Sequence, residues 1–287
     1  MGDTPDNVAV GVAGWSYPDW NGYVYPAGVG NRLRFVSRFV DMVEVNSSFY
    51  RPPTATTVAG WINQTAESPS FYFTAKLHRD LTHGGEFTPG MVTAIRDGFA
   101  PMAEAGKLRH LLAQFRWDFD DTATNRRRVE RLCAAFGAMT TVTCEMRHNT
   151  WQSAGALAFL AEQGAGLANL DYPIARNSFN LDICTVHRHA YLRLHGRNAA
   201  AWFNRSAGRD ETYNYLYDTK EIDAIVSRAV TLARQSSSLT IVTNNHYQGK
   251  EMVNAIQLKS QLSASRVVAP EILIRHYPQL SECADPA

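Results

Sequence analysis

The residues of this chain best suited to chemistry stand two apart, each pair closing an apolar run: Glu44 and Asn46, Glu145 and Arg147, Asn169 and Asp171, Arg193 and His195, Asn244 and His246. Lys76 and Gln114 close runs of their own. Residues two apart on a strand share a face, so each pair is expected to point the same way. Burying an unpaired charge costs several kcal/mol. Polar strand ends repeated after apolar starts are therefore expected to serve either a site or a satisfied network of ion pairs. Glu44 and Glu145 suit a general base or a metal ligand; their other role is pairing with Lys76, Arg147 or Arg193. His195 precedes Gly196, and His246 follows Asn244 and Asn245. Each suits an acid, a base or a ligand, against the alternative of a satisfied core histidine. Asp171, before Tyr172 and Pro173, is a carboxylate for the same site or a cap. His83 is a candidate from the third loop, and His148 reads as a loop histidine near Trp151. Lys76, Arg147, Arg193 and Arg197 point to an anionic substrate, because guanidinium forks match phosphate and carboxylate oxygens. Each arginine could equally neutralise a neighbouring carboxylate.

Positioning such residues requires a repeated scaffold. Eight short apolar runs, rich in β-branched and aromatic residues, occupy 7–14, 41–46, 71–76, 110–115, 141–146, 165–171, 190–196 and 239–245. They read as buried parallel strands. Helical patterns follow at 33–40, 54–66 (Thr54 as N-cap), 89–106, 124–139, 153–164 (closing on Gly164), 220–235 and 249–262. Pro101 is expected to kink the third or mark its second half. Only a short, weak helix is expected between the sixth and seventh runs. Eight strand–helix units predict a single (β/α)8 TIM barrel spanning 1–287. Its long loops follow strand 1 (14–30) and strand 7 (196–218). Residues 1–6 are expected to be disordered, and 265–287 to form a C-terminal extension. An open doubly wound sheet would show a glycine-rich phosphate turn, and no such pattern occurs. The mouth at the strand C-termini is where active sites of this fold lie. Trp202, Tyr213, Tyr215 and Tyr217 in the long seventh loop could stack a base or a sugar ring, or pack the loop onto the barrel.

Composition narrows the function classes. The chain has 287 residues, 28 basic and 27 acidic, for a net charge of +1. Nucleic acid is thus not indicated as a partner by net charge, though a local basic patch stays open. No run approaches a membrane span, and the start lacks a basic, then apolar, secretory pattern. Cys133, Cys144, Cys184 and Cys283 form no C-x-x-C pair, so reduced thiols and a cytoplasmic location are expected.

The segments GWSYPDWNGYVYP (14–26), VEVNSSFYRPP (43–53), WINQT (61–65), FTAK (73–76), LTH (81–83), EMRHNTW (145–151), LDYP (170–173), LRLHGR (192–197) and NNHYQGKEMVNAIQL (244–258) carry a resemblance. In that order, across nearly the whole chain, they resemble the domain of unknown function seventy-two family of TIM-barrel proteins. The resemblance implies a barrel. It also marks Trp15, Tyr17, Glu44, Asn46, Tyr50, Lys76, His83, Glu145, Arg147, Asp171, Arg193, His195, Arg197, Asn245, His246 and Gly249 as characteristic positions. Two departures stand out: Leu77-His78 where the family has a proline-bearing turn, and Phe115-Arg116-Trp117 where it has Leu-Pro-Pro. The barrel is similar in outline to the endonuclease IV and xylose isomerase group, whose Glu, Asp and His side chains hold divalent metals.

The expected function is an enzyme, a hydrolase, acting on a small phosphorylated or otherwise anionic ligand. Catalytic candidates are Glu44, Glu145, Asp171, His195 and His246. Substrate-binding candidates are Trp15, Tyr17, Asn46, Tyr50, Lys76, Arg147, Arg193, Arg197 and Asn245. A divalent metal is a candidate cofactor, on Glu44, Glu145, Asp171, His195 or His246. The rival readings are a non-catalytic binder of anions and a metal-dependent sugar isomerase.

Overall fold

The computed structural model describes residues 7–287; the disorder expected for 1–6 lies outside the described residues. Eight strands form where the apolar runs predict them: β1 Val8–Val12, β2 Met42–Val45, β3 Tyr72–Lys76, β4 Leu108–Gln114, β5 Thr141–Glu145, β6 Gly166–Asp171, β7 His189–Leu194 and β8 Ser238–Thr243. They close in chain order into a parallel barrel. The helices are α1 Arg32–Val36, α2 Ala55–Gln64, α3 Arg79–Thr82, α4 Pro89–Glu104, α5 Ala123–Phe136, α6 Ala154–Glu162, α7 Ala199–Trp202, α8 Arg209–Thr212, α9 Thr219–Arg234, α10 Lys250–Ser263 and α11 Glu271–His276. The chain divides into two compact units. The first comprises residues up to Val43, Leu170–Pro173 and Leu192–Ala287; the second comprises Glu44–Asn169 and Ile174–Tyr191.

In the first unit β1 pairs with β8 over Val8–Val12 against Leu239–Thr243, and with the start of β2 at Gly11 and Val12. The side chain of Asn31 caps α1. Asp218 and Glu221 form a reciprocal capping box on α9, so two orphan amides are satisfied by side chains. The C-terminal residues, left unplaced by sequence, form two strands, β9 Val267–Ala269 and β10 Ala284–Pro286, paired in parallel with α11 between them.

In the second unit β3, β4, β5 and β6 pair in succession. Thr54, Thr88, Thr122 and Ser153 each accept a backbone N–H at the start of α2, α4, α5 and α6. Each such cap stabilises its helix by about 1 kcal/mol. Gly164, at φ 63°, follows α6 as predicted. Pro101 does not end α4, which continues to Glu104. The carbonyl that loses its partner belongs to Asp97, an exposed residue, where water can satisfy it.

The short helix expected between β6 and β7 is absent among the described residues; 172–188 holds turns, bends and one isolated antiparallel bridge, Ser178 to His148. Long-range bonds hold this segment instead. Asn169 accepts from the Cys184 amide and donates to its carbonyl, and Gln152 accepts from the Asn180 amide. With two of its amides taken by side chains elsewhere and the Phe179 amide by the Arg147 carbonyl, the segment is diverted from a helical ladder. All four cysteines are thiols. No helix among the described residues is long and apolar enough to cross a membrane.

Candidate functional site

Two groups of polar side chains gather at strand ends, one in each unit. In the first unit, Arg193 and His195 stand at and just after the end of β7, 1% and 0% exposed. Arg193 Nη1 lies 3.5 Å from His195 Nε2, and the Asn244 amide lies 3.0 Å from Nδ1. Three aromatic rings surround the imidazole: Trp202 at 5.7 Å, Tyr172 at 6.2 Å and Tyr213 at 6.3 Å between centroids. Tyr213 also reaches His246, at 5.3 Å. On His246 the Tyr17 ring stacks at 4.5 Å and 14°. The Tyr17 hydroxyl donates to the Ala13 carbonyl, and Trp20 Nε1 donates to the His246 carbonyl at 2.9 Å. The long first loop thus holds His246 through both ring and backbone. Burial, with Arg209 nearby, lowers the His246 pKa to about 4, so the ring is neutral at pH 7. Among the described residues, neither of its nitrogens has a hydrogen-bond partner.

Asp171 and Arg197 form a separate arrangement in the same unit. Both carboxylate oxygens take the guanidinium, at 2.9 and 2.6 Å. Arg197 also reaches Glu221 at 3.0 Å. The buried Tyr217 hydroxyl donates to Asp171 at 2.8 Å and accepts the Gly196 amide at 2.9 Å. Asn245, fully buried, donates to the Tyr215 carbonyl and to Asn254, each at 2.8 Å, and so fastens the end of the seventh loop to α10. Trp15 is half-buried, and its carbonyl accepts from Tyr25 at 2.6 Å.

In the second unit, Glu44 is fully buried and accepts the Tyr191 hydroxyl at 2.8 Å. The same hydroxyl lies 3.0 Å from Thr74 Oγ1. His110 faces Tyr191 edge-on at 4.9 Å and bonds Thr143 at 2.8 Å. Burial drops its pKa to about 3. Glu145 Oε1 accepts from Gln114 at 2.6 Å, from Arg147 Nε at 2.8 Å and from Arg147 Nη2. Glu145 and Arg147 thus form a charge-assisted pair at one strand end. Lys76 lies 4.8 Å from the Phe49 centroid, and His83 meets that ring edge-on at 5.0 Å. Partial burial, Lys76 and Arg116 lower the His83 pKa. Asn46 precedes the 3-10 turn Ser47–Phe49, and Tyr50 beyond it is 67% exposed. His148 bonds Thr150 at 2.9 Å, a local loop contact.

The candidates for a metal do not fit one. Glu44 meets Tyr191, Glu145 meets Arg147, Asp171 meets Arg197 and His195 meets Asn244. Among the described residues no three His, Cys, Asp or Glu side chains come together as a metal-holding group.

Sequence reasoning missed Tyr191 as the partner of Glu44, although it lies two before Arg193 on the alternation that marked Arg193 and His195. It also missed Tyr217 as the hydroxyl on Asp171, for which no local signal exists. Asn244 and His246 were paired by alternation, but β8 ends at Thr243 and His246 has helical φ/ψ. Asn244 instead meets His195.

The sequence matches the family described as "Protein of unknown function DUF72" over residues 9–276. It is 26% identical over 270 residues to the UPF0759 protein YunF of Bacillus subtilis, covering 88% of this chain and 93% of that protein. The structure resembles that of a DUF72 family protein from Thermotoga maritima, at TM-score 0.79 and 28% identity, over 89% of this chain and 98% of the other. A DUF72 family protein from Enterococcus faecalis shares the fold at TM-score 0.79 and 24% identity, over 90% and 95%.

Proposed function

The chain belongs to the DUF72 family of proteins of unknown function, and we propose that it is an enzyme that hydrolyses a phosphorylated or otherwise anionic substrate in the group around Arg193 and His195. The observation that carries this reading is a buried guanidinium and a buried imidazole two residues apart at a strand C-terminus, with Asn244 on the imidazole's other nitrogen. Arg193 places a fixed planar cation beside the His195 imidazole, and a guanidinium fork suits the oxygens of an anion.

In the reaction, Arg193 turns from His195 Nε2 to the substrate, and the freed Nε2 takes a proton from water as its oxygen attacks the ester and returns it to the leaving oxygen. Arg193 offsets the negative charge that gathers on the transferred group. Asn244 holds the imidazole in one orientation. Arg197, engaged by Asp171 and Glu221, positions the seventh loop rather than the substrate.

The test is hydrolysis of a panel of phosphate mono- and diesters by the wild type, His195→Asn and Arg193→Gln. Loss of turnover to background in both variants, with folding intact, supports the reading. Undiminished turnover in His195→Asn removes that residue from the chemistry. Binding of phosphate esters without turnover of any assigns the protein to the non-catalytic class.

A further inference from the structure

His246 is 2% exposed, and both its nitrogens lack a hydrogen-bond partner among the described residues. A neutral imidazole presents one donor and one acceptor, both in the ring plane. Leaving both unmade inside a protein is costly, and core histidines elsewhere here avoid it: His110 bonds Thr143, and His195 meets Asn244. The Tyr17 ring lies within 14° of parallel to His246. A flat ring bonded in the imidazole plane can therefore lie parallel to Tyr17 as well, gaining a stacking contact that a puckered ring would not. Tyr213 leans against the same imidazole at 38°.

Tyr213 and Trp202 belong to the segment after β7. Its start is fixed by the Arg197 ion pair and its end by Asn245 and Asn254, which hold Tyr215 and Tyr217. Between these anchors the segment bonds within itself, by Asn198 to Glu211 and Asn214 and by two single-turn helices, and Lys250 of α10 donates to Asn214 at its end. Arg209 in the same stretch lies 5.7 Å over the Tyr17 ring.

We propose that His246 reads the in-plane edge of a nucleobase stacked along Tyr17, so that the substrate is a mononucleotide, and that residues 199–213 swing aside to admit it. The two imidazole nitrogens point in different directions in the ring plane, so one of them meets the base edge, which offers both a donor and an acceptor to suit either tautomer. Tyr213 closes on the bound ring, and Arg209 brings a cation to the phosphate. This deepens the hydrolase reading and depends on it only for the phosphate.

Titration calorimetry with the full-length protein tests it, using UMP, AMP, the corresponding nucleosides, ribose 5-phosphate and inorganic phosphate. The expected result is a nucleotide bound at least about tenfold more tightly than ribose 5-phosphate. His246→Phe, which keeps the stacking and removes both nitrogens, should lose about tenfold for the nucleotide and nothing for ribose 5-phosphate. Tyr213→Leu should weaken nucleotide and nucleoside alike. Circular dichroism confirms that each variant is folded. Equal affinity for nucleotide and ribose 5-phosphate overturns the proposal and leaves the anionic reading standing. Nucleosides bound as well as nucleotides uphold the base site and remove the phosphate. Binding of none of these ligands, or His246→Phe binding as wild type, overturns it outright.

Discussion

Arg197 and Asp171 are joined fork to fork, Nε to Oδ1 at 2.9 Å and Nη2 to Oδ2 at 2.6 Å, across the start of the seventh loop. The carboxylate is 10% exposed and the guanidinium 40%. The pair is therefore screened on one side only, and its worth lies above that of an open surface bridge. Asp171→Asn leaves an amide N–H against guanidinium donors and removes an acceptor from Tyr217. A loss of about 1–3 kcal/mol is expected in urea unfolding. Arg197→Lys should lose much of the same, because an ammonium cannot make two parallel bonds. A change in either variant below about 0.5 kcal/mol would show that the pair does not hold the loop.

Acid should weaken the protein through histidines rather than carboxylates alone. His110 and His246 are held neutral by burial, at about 3 and about 4, against an ordinary value of 6.5. As pH falls below 6.5 the unfolded chain takes up protons at these rings while the folded one does not. Stability therefore falls from about pH 6.5 down to pH 3–4, by a few kcal/mol for each ring. Denaturant midpoints measured between pH 7 and pH 4 should drop steeply. His110→Gln and His246→Phe should each flatten that slope, and an unchanged slope in both would assign the acid sensitivity elsewhere.

Tyr191 and Glu44 supply a third expectation. The Tyr191 hydroxyl sits between Glu44 Oε2 and Thr74 Oγ1, wholly buried. Tyr191→Phe keeps the ring against His110 and takes one donor from a buried carboxylate. That should cost about 1–3 kcal/mol. Thr74→Val in the Tyr191→Phe background should add little, since its partner hydroxyl is already gone. Full additivity of the two would mean that they do not share the contact.

The strands were legible because a strand buried on both faces must be apolar throughout, and β1, β2 and β8 carry few polar residues before their last positions. The start of α2 was legible because Thr54 caps it. What escaped was partner choice. Glu44 and Tyr191 are 147 residues apart, and no spacing rule joins them. The polar ends of β5 and β7 read alike in sequence, an arginine two residues from an ionisable partner. Yet Arg147 folds back onto its own Glu145, whereas Arg193 faces an imidazole. Alternation alone does not tell the two arrangements apart. The unstructured 172–188 segment was misread because side chains from β6 and the turn after β5 occupy its amides.

Gly196 links His195 to the seventh loop and offers the sharpest test of how that loop is set. Its φ is 83°, a left-handed conformation that a side chain disfavours by about 1 kcal/mol or more. A Cβ there would lie 2.7 Å from Tyr215 Cβ, so an added methyl also pushes on the loop. Its amide donates to Tyr217, a bond that any shift lengthens. Gly196→Ala should therefore lose about 2–4 kcal/mol in thermal or urea unfolding. It should also open the segment carrying Trp202 and Tyr213, raising hydrogen exchange at 199–213 while the exchange of β1 and β8 stays at the parent's level once the global loss is subtracted. Uniform loss across the chain would mean that the glycine serves the barrel alone and that the loop is set by its far anchors.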